Sequence, residues 1–593
     1  MEKRLVLFLL LSLLVLLLYR YVFLPFVYPP ESFQPPPPPP SQEIPEVGRA
    51  PGTDRSGQGF RVPFEKLSSA QTVTVETDLY EAVFSTQGAG TVVSWKLKKY
   101  RSRHDERLVE LVRMEGLPPL TLLTLGGNGG RPLLDGRTGA DRSRLELSSQ
   151  TPKGSVTFFY QEGDIRIRRT YTFYNQDYRV DISQDVEGLS GYQVALGSSF
   201  GIFNELEGGY SVYIGPTVRI GHSLIREDYK DFEGERSLKG FDWLGIQDKY
   251  FMAALIPPPG VSQGYFRLVS GKERVFPFTE DTVFQDRGRP IQPQELRAGD
   301  PVMVETDARG VARKIVRTPG GNPNRPEGIV VSVDVPSGRL RLKTPKEVVV
   351  AFQVAPGTGE SLAYRLYAGP KELQRLKAQG VRLEDTVDFG YFSILAMPMF
   401  YVMQWIHGVT GNYGIAIIGL TVLLKILFFY PTHLSYKSMK AMQALQPKMM
   451  KIREKYKNDP KRMNQEMMEL YKKHKVNPLG GCLPILIQIP FFIALYNVLS
   501  LAIELRRAPF VWWIEDLSVQ DPYYILPVLM GVSMYISQKM TPSTVDPRQQ
   551  RILMLMPVIF TFLFMTFPSG LVLYWLINNV LTIAQQIYIN KYT

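Results

Sequence analysis

Apolar positions along the chain follow three regimes. The N-terminus reads Met1-Glu2-Lys3-Arg4, then an almost unbroken apolar run from Leu5 to Leu18, then aromatic residues up to Val27. A basic start and an apolar run of this length predict a signal segment able to cross about 30 Å of hydrocarbon. Tyr28-Pro29-Pro30 follows in place of a small-residue cleavage site. Residues 1–28 therefore read as an uncleaved anchor with its N-terminus inside, the alternative being a cleaved signal peptide. Residues 29–62 contain the run Pro35 to Pro40, which favours an extended, semi-rigid spacer.

From about Thr72 apolar and polar residues alternate with period two. Examples are Val73-Thr74-Val75-Glu76, Ser155-Val156-Thr157-Phe158-Phe159-Tyr160 and Ile165-Arg166-Ile167-Arg168-Arg169-Thr170-Tyr171. Glycine and proline clusters separate these runs, so 63–385 is expected to be an all-β sandwich. Residues about 291–347 read as a small β insertion rich in Arg and Lys, with a Gly/Pro/Asn loop in its middle. A short helix from Pro370 to Gln379 is expected to stop at Gly380.

Near Phe389 the pattern becomes long apolar stretches. Residues 386–410 predict an amphipathic helix in the outer membrane interface, ended by Gly408-Val409-Thr410-Gly411. Tyr413–Tyr430, Gly480–Ile503, Tyr523–Gln538, Ile552–Phe567 and Leu571–Ile587 predict five spans, so 411–593 forms a helical membrane core. With the anchor this makes six.

Charge orients them. Between Tyr436 and Lys475 lie 12 Lys/Arg and 4 Asp/Glu, a balance of 12 − 4 = +8, so this loop is expected in the cytoplasm. Counting spans from an inside N-terminus returns the C-terminus to the inside and puts the β domain outside. Within 432–477 the apolar spacing 3, 4, 3, 4 at Met442, Leu445, Met449, Ile452 and Tyr456 predicts one arm of a helical hairpin. Met463, Met467, Leu470 and His474 predict the other. Asn458-Asp459-Pro460 supplies the turn, with Asp459 as N-cap, and Pro447 should kink the first arm. Met439, Met450 and Met468 fall off the seam and are expected on exposed faces, where methionine suits varied apolar clients. The basic face of the hairpin is suited to anionic lipid or ribosomal RNA, or is simply solvated.

Composition excludes more than it assigns. One cysteine, Cys482, rules out an internal disulfide, and five scattered histidines offer no metal-ligand spacing. The β domain carries no nucleophile elbow, phosphate loop or HExxH, so no catalytic residue, metal or cofactor is expected. The candidate chemistry is one lysine. Lys425 is the single charge in the span Ile415–Tyr430, and such a charge is costly unless it meets water or a partner. Snorkelling toward Pro431, about 9 Å of helix away, is the alternative. Thr421 at i−4 and Gly414 at i−11 make one face small or polar. The last span carries a matching stripe, Trp575, Asn579, Thr582 and Gln586, flanked by Tyr574, Asn578 and Gln585. Two polar stripes predict a shared hydrated groove. Polar helix–helix packing is the competing reading of the second stripe.

Residues 386–591 resemble the YidC insertases, relatives of the mitochondrial Oxa and chloroplast Albino proteins. The resemblance rests on Leu445-Gln446-Pro447-Lys448, Gln465-Glu466-Met467-Met468-Glu469-Leu470-Tyr471, Val476-Asn477-Pro478-Leu479-Gly480-Gly481-Cys482, Asp521-Pro522-Tyr523-Tyr524-Ile525-Leu526-Pro527 and Phe567-Pro568-Ser569-Gly570-Leu571-Val572-Leu573-Tyr574. Val73–Tyr100, Lys249–Pro257 and Tyr364–Gly390 more weakly resemble the periplasmic β-supersandwich of the Gram-negative type; 291–347 has no recognised counterpart. The resemblance implies a bacterial inner-membrane insertase and chaperone. Its hydrophilic groove would be open to cytoplasm and lipid, and closed outside. It further implies nascent membrane proteins as clients, and contact with ribosomes, the SecYEG translocon with its accessory proteins, and lipid. Lys425 aligns with a groove arginine, Thr421 and Tyr574 match groove positions, and Trp575 replaces a common aromatic. Lysine keeps the charge but loses the planar guanidinium fork. A small-solute transporter is the alternative, though the sequence shows no inverted repeat.

Overall fold

The computed structural model describes residues 70–592 except 103–105, 113–116, 127–129, 199, 201–212, 229–231, 270–272, 287–288, 297–300, 307–310, 318–327, 344–346, 356–360, 475–482 and 542–553. The expected anchor and proline linker lie outside the described residues.

Alternation in the sequence becomes alternation of burial. Along Ile165–Tyr174 the residues Ile167, Arg169, Tyr171 and Phe173 all point inward. This strand lies between Lys153–Glu162 and Arg179–Glu187 in a nine-stranded sheet, which continues through Ser361–Pro370 and Phe251–Ile256. Two five-stranded sheets complete a β region with one large shared core. Arg169 is the exception to apolar filling. Its Nε donates to Gln184 Oε1 at 2.9 Å and its Nη1 to the Leu120 carbonyl at 2.8 Å, which offsets part of the cost of burying a guanidinium.

A separate six-stranded sheet runs from Glu273 to Lys343, so the segment expected at about 291–347 begins earlier than its composition marked, and Glu347 already opens a strand of another sheet. Glu273–Asp286 pairs with both Ala312–Arg317 and Arg339–Lys343, so the strands close on themselves around Phe278, Val302, Ile315, Leu340 and Leu342. Closure removes the free edges that would otherwise template pairing.

The chain leaves the sandwich through a short helix, α1 (Leu373–Ala378), and Gly380 ends it at φ +73°. The helical region follows as α2 (Ser393–Thr410), α3 (Tyr413–Leu427), α4 (Phe429–Ala444), α5 (Gln446–Lys455), α6 (Pro460–Lys473), α7 (Leu483–Leu501), α8 (Ile525–Met540), α9 (Met556–Phe564) and α10 (Ser569–Tyr592). The helix α2 ends within the expected Gly408–Gly411 segment, at Thr410, and Gly408 itself is helical. The stop is Gly411, whose φ of 68° suits a residue without Cβ and whose N–H reaches the His407 carbonyl. The span expected to run to Tyr430 bends instead by 60° between α3 and α4, placing Lys425 just before the bend. Among the described residues only Ser569–Ile589 is by itself long and apolar enough to cross a membrane; the bent pair α3 and α4 would qualify as one broken span.

Pro447 acts as expected, ending one helix and opening the next. Its missing N–H is tolerated in the first turn of α5. Asp459 caps α6 by accepting from the Arg462 N–H at 3.1 Å. The seam holds in part: Met442, Leu445 and Met449 of the first arm are buried, Met463, Met467 and Leu470 of the second are half-buried, and His474 is exposed.

Candidate functional site

The last helix positions the site. α10 packs against α3 on one side and α8 on the other, so polar residues spaced along it face two neighbours. A methyl group on Gly414 would collide with the Phe510 ring, so glycine there lets the start of α3 seat closely under the loop after α7.

Lys425 Nζ donates to Thr582 Oγ1 at 2.6 Å. The Thr582 hydroxyl hydrogen is already committed to the Asn578 carbonyl at 2.6 Å, which leaves the oxygen free to accept. An ammonium has three donors, and no carboxylate lies within ion-pair distance of this one among the described residues. Lys425 is half-buried, so its charge keeps an approach from outside the helix pair.

The other expected groove residues divide. Thr421 is buried and its hydroxyl returns to the Ile417 carbonyl of its own helix at 2.6 Å. Asn579 is buried and reaches Ser533 of α8 at 3.2 Å, the helix-to-helix packing that had been the competing reading of this stripe. Trp575 sits edge-on to Phe492 of α7 and Phe564 of α9, at ring separations of 4.9 and 5.0 Å. Tyr574 lies 6.4 Å from Phe492 and is half-buried. The structure thus brings Lys425 and Thr582 together, sets Trp575 and Tyr574 in an aromatic wall, and turns Thr421 and Asn579 into the bundle.

Sequence reasoning missed several participants. Ser533, Tyr436 and Thr541 are single polar residues with no repeat to mark them. Gln586 Nε2 reaches Tyr436 Oη at 2.6 Å and Thr541 Oγ1 at 2.9 Å, tying α10 to α4 and to the end of α8. Of the hairpin methionines, Met450 and Met468 are 53% and 49% exposed. Met439, on α4, is half-buried rather than exposed.

On the opposite, β-domain side, a polar cavity of about 260 Å³ is lined by Glu372, Gln374, Gln404, His407, Tyr413 and Glu504. It joins the end of the sandwich to α2 and to the loop after α7. Burial pushes the Glu504 carboxyl up to about 7, with the nearby Glu372 charge adding to the effect. Burial also lowers His407. Arg506 Nη2 donates to the Arg101 carbonyl at 2.6 Å and Arg507 Nη2 to the Ser102 carbonyl at 2.8 Å, so the bundle grips the β domain directly.

Similarity to known proteins covers both regions. Residues 405–593 match the family described as 60Kd inner membrane protein, and residues 72–290 and 341–402 match the YidC periplasmic domain. The membrane protein insertase YidC of Geotalea daltonii is 38% identical, covering 100% of this chain and 99% of its own. That of Geobacter sulfurreducens is 61% identical over 236 residues, 40% of this chain and 44% of its own. A crystal structure of an active YidC insertase with its first transmembrane domain resolved is 16% identical. It covers 90% of this chain and 96% of its own, with a TM-score of 0.36.

Proposed function

This chain belongs to the YidC family of inner-membrane protein insertases, and we propose that it inserts its clients through a groove between α3 and α10 whose one charge is Lys425. The carrying observation is the Lys425 ammonium, held by one threonine oxygen and by no carboxylate among the described residues. A cation in this position attracts the acidic, hydrophilic end of a client and shortens its path across the bilayer. In a water-poor setting such attraction is far stronger than in bulk solvent. The aromatic wall at Trp575 gives the client's apolar part a surface to slide on.

The remaining parts of the reading follow from charge and family. Six spans with both termini in the cytoplasm place the net +8 of the hairpin inside and the sandwich in the periplasm. The exposed Met450 and Met468 then meet nascent chains, and the basic hairpin meets ribosomes, SecYEG or anionic lipid. Nothing in the comparisons favours solute transport.

Complementation of an insertase-depleted strain tests the groove. Lys425→Arg supports growth, and Lys425→Glu slows insertion of clients with acidic translocated tails by about tenfold or more, a loss of roughly 1.4 kcal/mol or greater. Full insertion of such clients by the Glu variant would remove the electrostatic role.

A further inference from the structure

Lys425 and Thr582 are not the inner end of the polar stripe. Gln585 and Gln586 lie about one turn further along α10, on the side from which a cytoplasmic client would arrive. Both are more than nine-tenths buried. Each amide is half used. Gln585 Nε2 faces the Phe429 carbonyl at 3.4 Å, and its Oε1 has no partner among the described residues. Gln586 Nε2 serves Tyr436 Oη and Thr541 Oγ1, and its Oε1 likewise has none.

These orientations are chemically determined. A carbonyl can only accept, so the end of Gln585 beside Phe429 must be the NH2. The Thr541 hydroxyl hydrogen goes to the Ser537 carbonyl at 2.8 Å, so Thr541 can only accept from Gln586. Two buried carbonyl oxygens on successive residues of one turn therefore stand without a donor among the described residues. A buried acceptor without a donor costs about 1–3 kcal/mol, and a partner that supplies donors recovers it.

We propose that Gln585 and Gln586 form a peptide-backbone subsite at the inner mouth of the groove, accepting main-chain N–H groups of an extended client segment. The inference rests on the groove reading and deepens it. Lys425 selects by charge, whereas these two carbonyls select nothing about side chains. An insertase with many clients needs one contact of each kind: a backbone amide is the donor that almost every residue of every client carries. The Tyr436 and Thr541 bonds fix the Gln586 amide by its nitrogen, so its buried oxygen is held in one orientation before a client arrives.

The test uses the full-length protein in vesicles of phosphatidylethanolamine and phosphatidylglycerol. The clients are single-span proteins with a semisynthetic translocated tail. One tail has ordinary amides; another carries backbone esters, which lack the N–H, at three successive positions. Wild-type protein is expected to insert the ester tail about tenfold more slowly than the amide tail. Gln585→Met, near in size but without either hydrogen-bonding end, is expected to slow the amide tail to a similar degree and to lose the difference between tails. Both effects persist when the tail has no acidic residue. Equal insertion of ester and amide tails by wild-type protein overturns the proposal, whatever the variant does, and leaves water as the occupant of those oxygens. The groove reading fails on a separate arm: Lys425→Glu inserting acidic tails at the wild-type rate.

Discussion

At the scale of single residues, a half-buried lysine and a buried aspartate make opposite use of charge. Lys425 holds a cation with one neutral partner and stays available. Asp521 holds an anion fully satisfied, accepting from Trp513 Nε1 at 3.0 Å, the Tyr523 N–H at 3.0 Å and the Leu526 N–H at 2.7 Å. It stands at the start of α8, where the helix dipole favours a carboxylate. Asp521→Ala is expected to leave three N–H donors, one of them buried, without their acceptor and to cost about 2 kcal/mol, seen as a lower Tm in detergent. An unchanged Tm would mean that the carboxylate is not what fixes this helix start. Much of this was legible in sequence. Lys425 stood out because it is alone in an apolar helix, and Thr582 because it falls on a stripe. Ser533, Tyr436 and Thr541 were not legible, since a lone polar residue carries no period and its partner is distant in the chain.

At the scale of elements, the apolar stretches gave the helices, and local backbone chemistry gave their ends. The helix α2 ran through Gly408 because one glycine in a helix costs only about 1 kcal/mol, and it stopped where a left-handed residue was needed. The bend between α3 and α4 was not predicted, because an unbroken apolar pattern carries no mark of a change in direction. In the hairpin the N-cap was readable directly. Asp459→Ala is expected to destabilise the hairpin by about 1 kcal/mol, measured as faster amide exchange at the start of α6. Exchange as slow as wild type would show that the turn holds without its cap. The period-two pattern gave the sandwich strands for the same reason, but not that a second, closed sheet would have its own core, since closure depends on pairing between distant strands.

At the scale of the whole molecule, the sandwich and the bundle are joined by Arg506, Arg507 and the cavity around Glu504. Glu504 accepts from Gln404 Nε2 of α2 at 3.4 Å, and it shares its cavity with Glu372 and Gln374 at the start of α1, His407 of α2 and Tyr413 of α3. Its carboxyl is raised from the ordinary value near 4.5 to about 7 in the folded state. The folded protein therefore binds this proton more tightly than the unfolded chain. The stabilisation is complete below about 4.5 and is lost as pH rises through about 7. The Tm in detergent is expected to fall across that window, and Glu504→Gln to flatten the fall by mimicking the neutral acid. A variant with the wild-type pH profile would mean that other groups set it.

The central claim is that clients pass along the face of α10 that carries Lys425's partner. A photo-crosslinking residue at Trp575 or Thr582, compared with one at Ile559 on the exposed face of α9, tests it most directly during insertion of a stalled nascent membrane protein. The prediction is strong crosslinks from Trp575 and Thr582 to the client's hydrophilic tail and weak ones from Ile559. Crosslinks to the tail from Ile559 alone, with the client fully inserted, would contradict it.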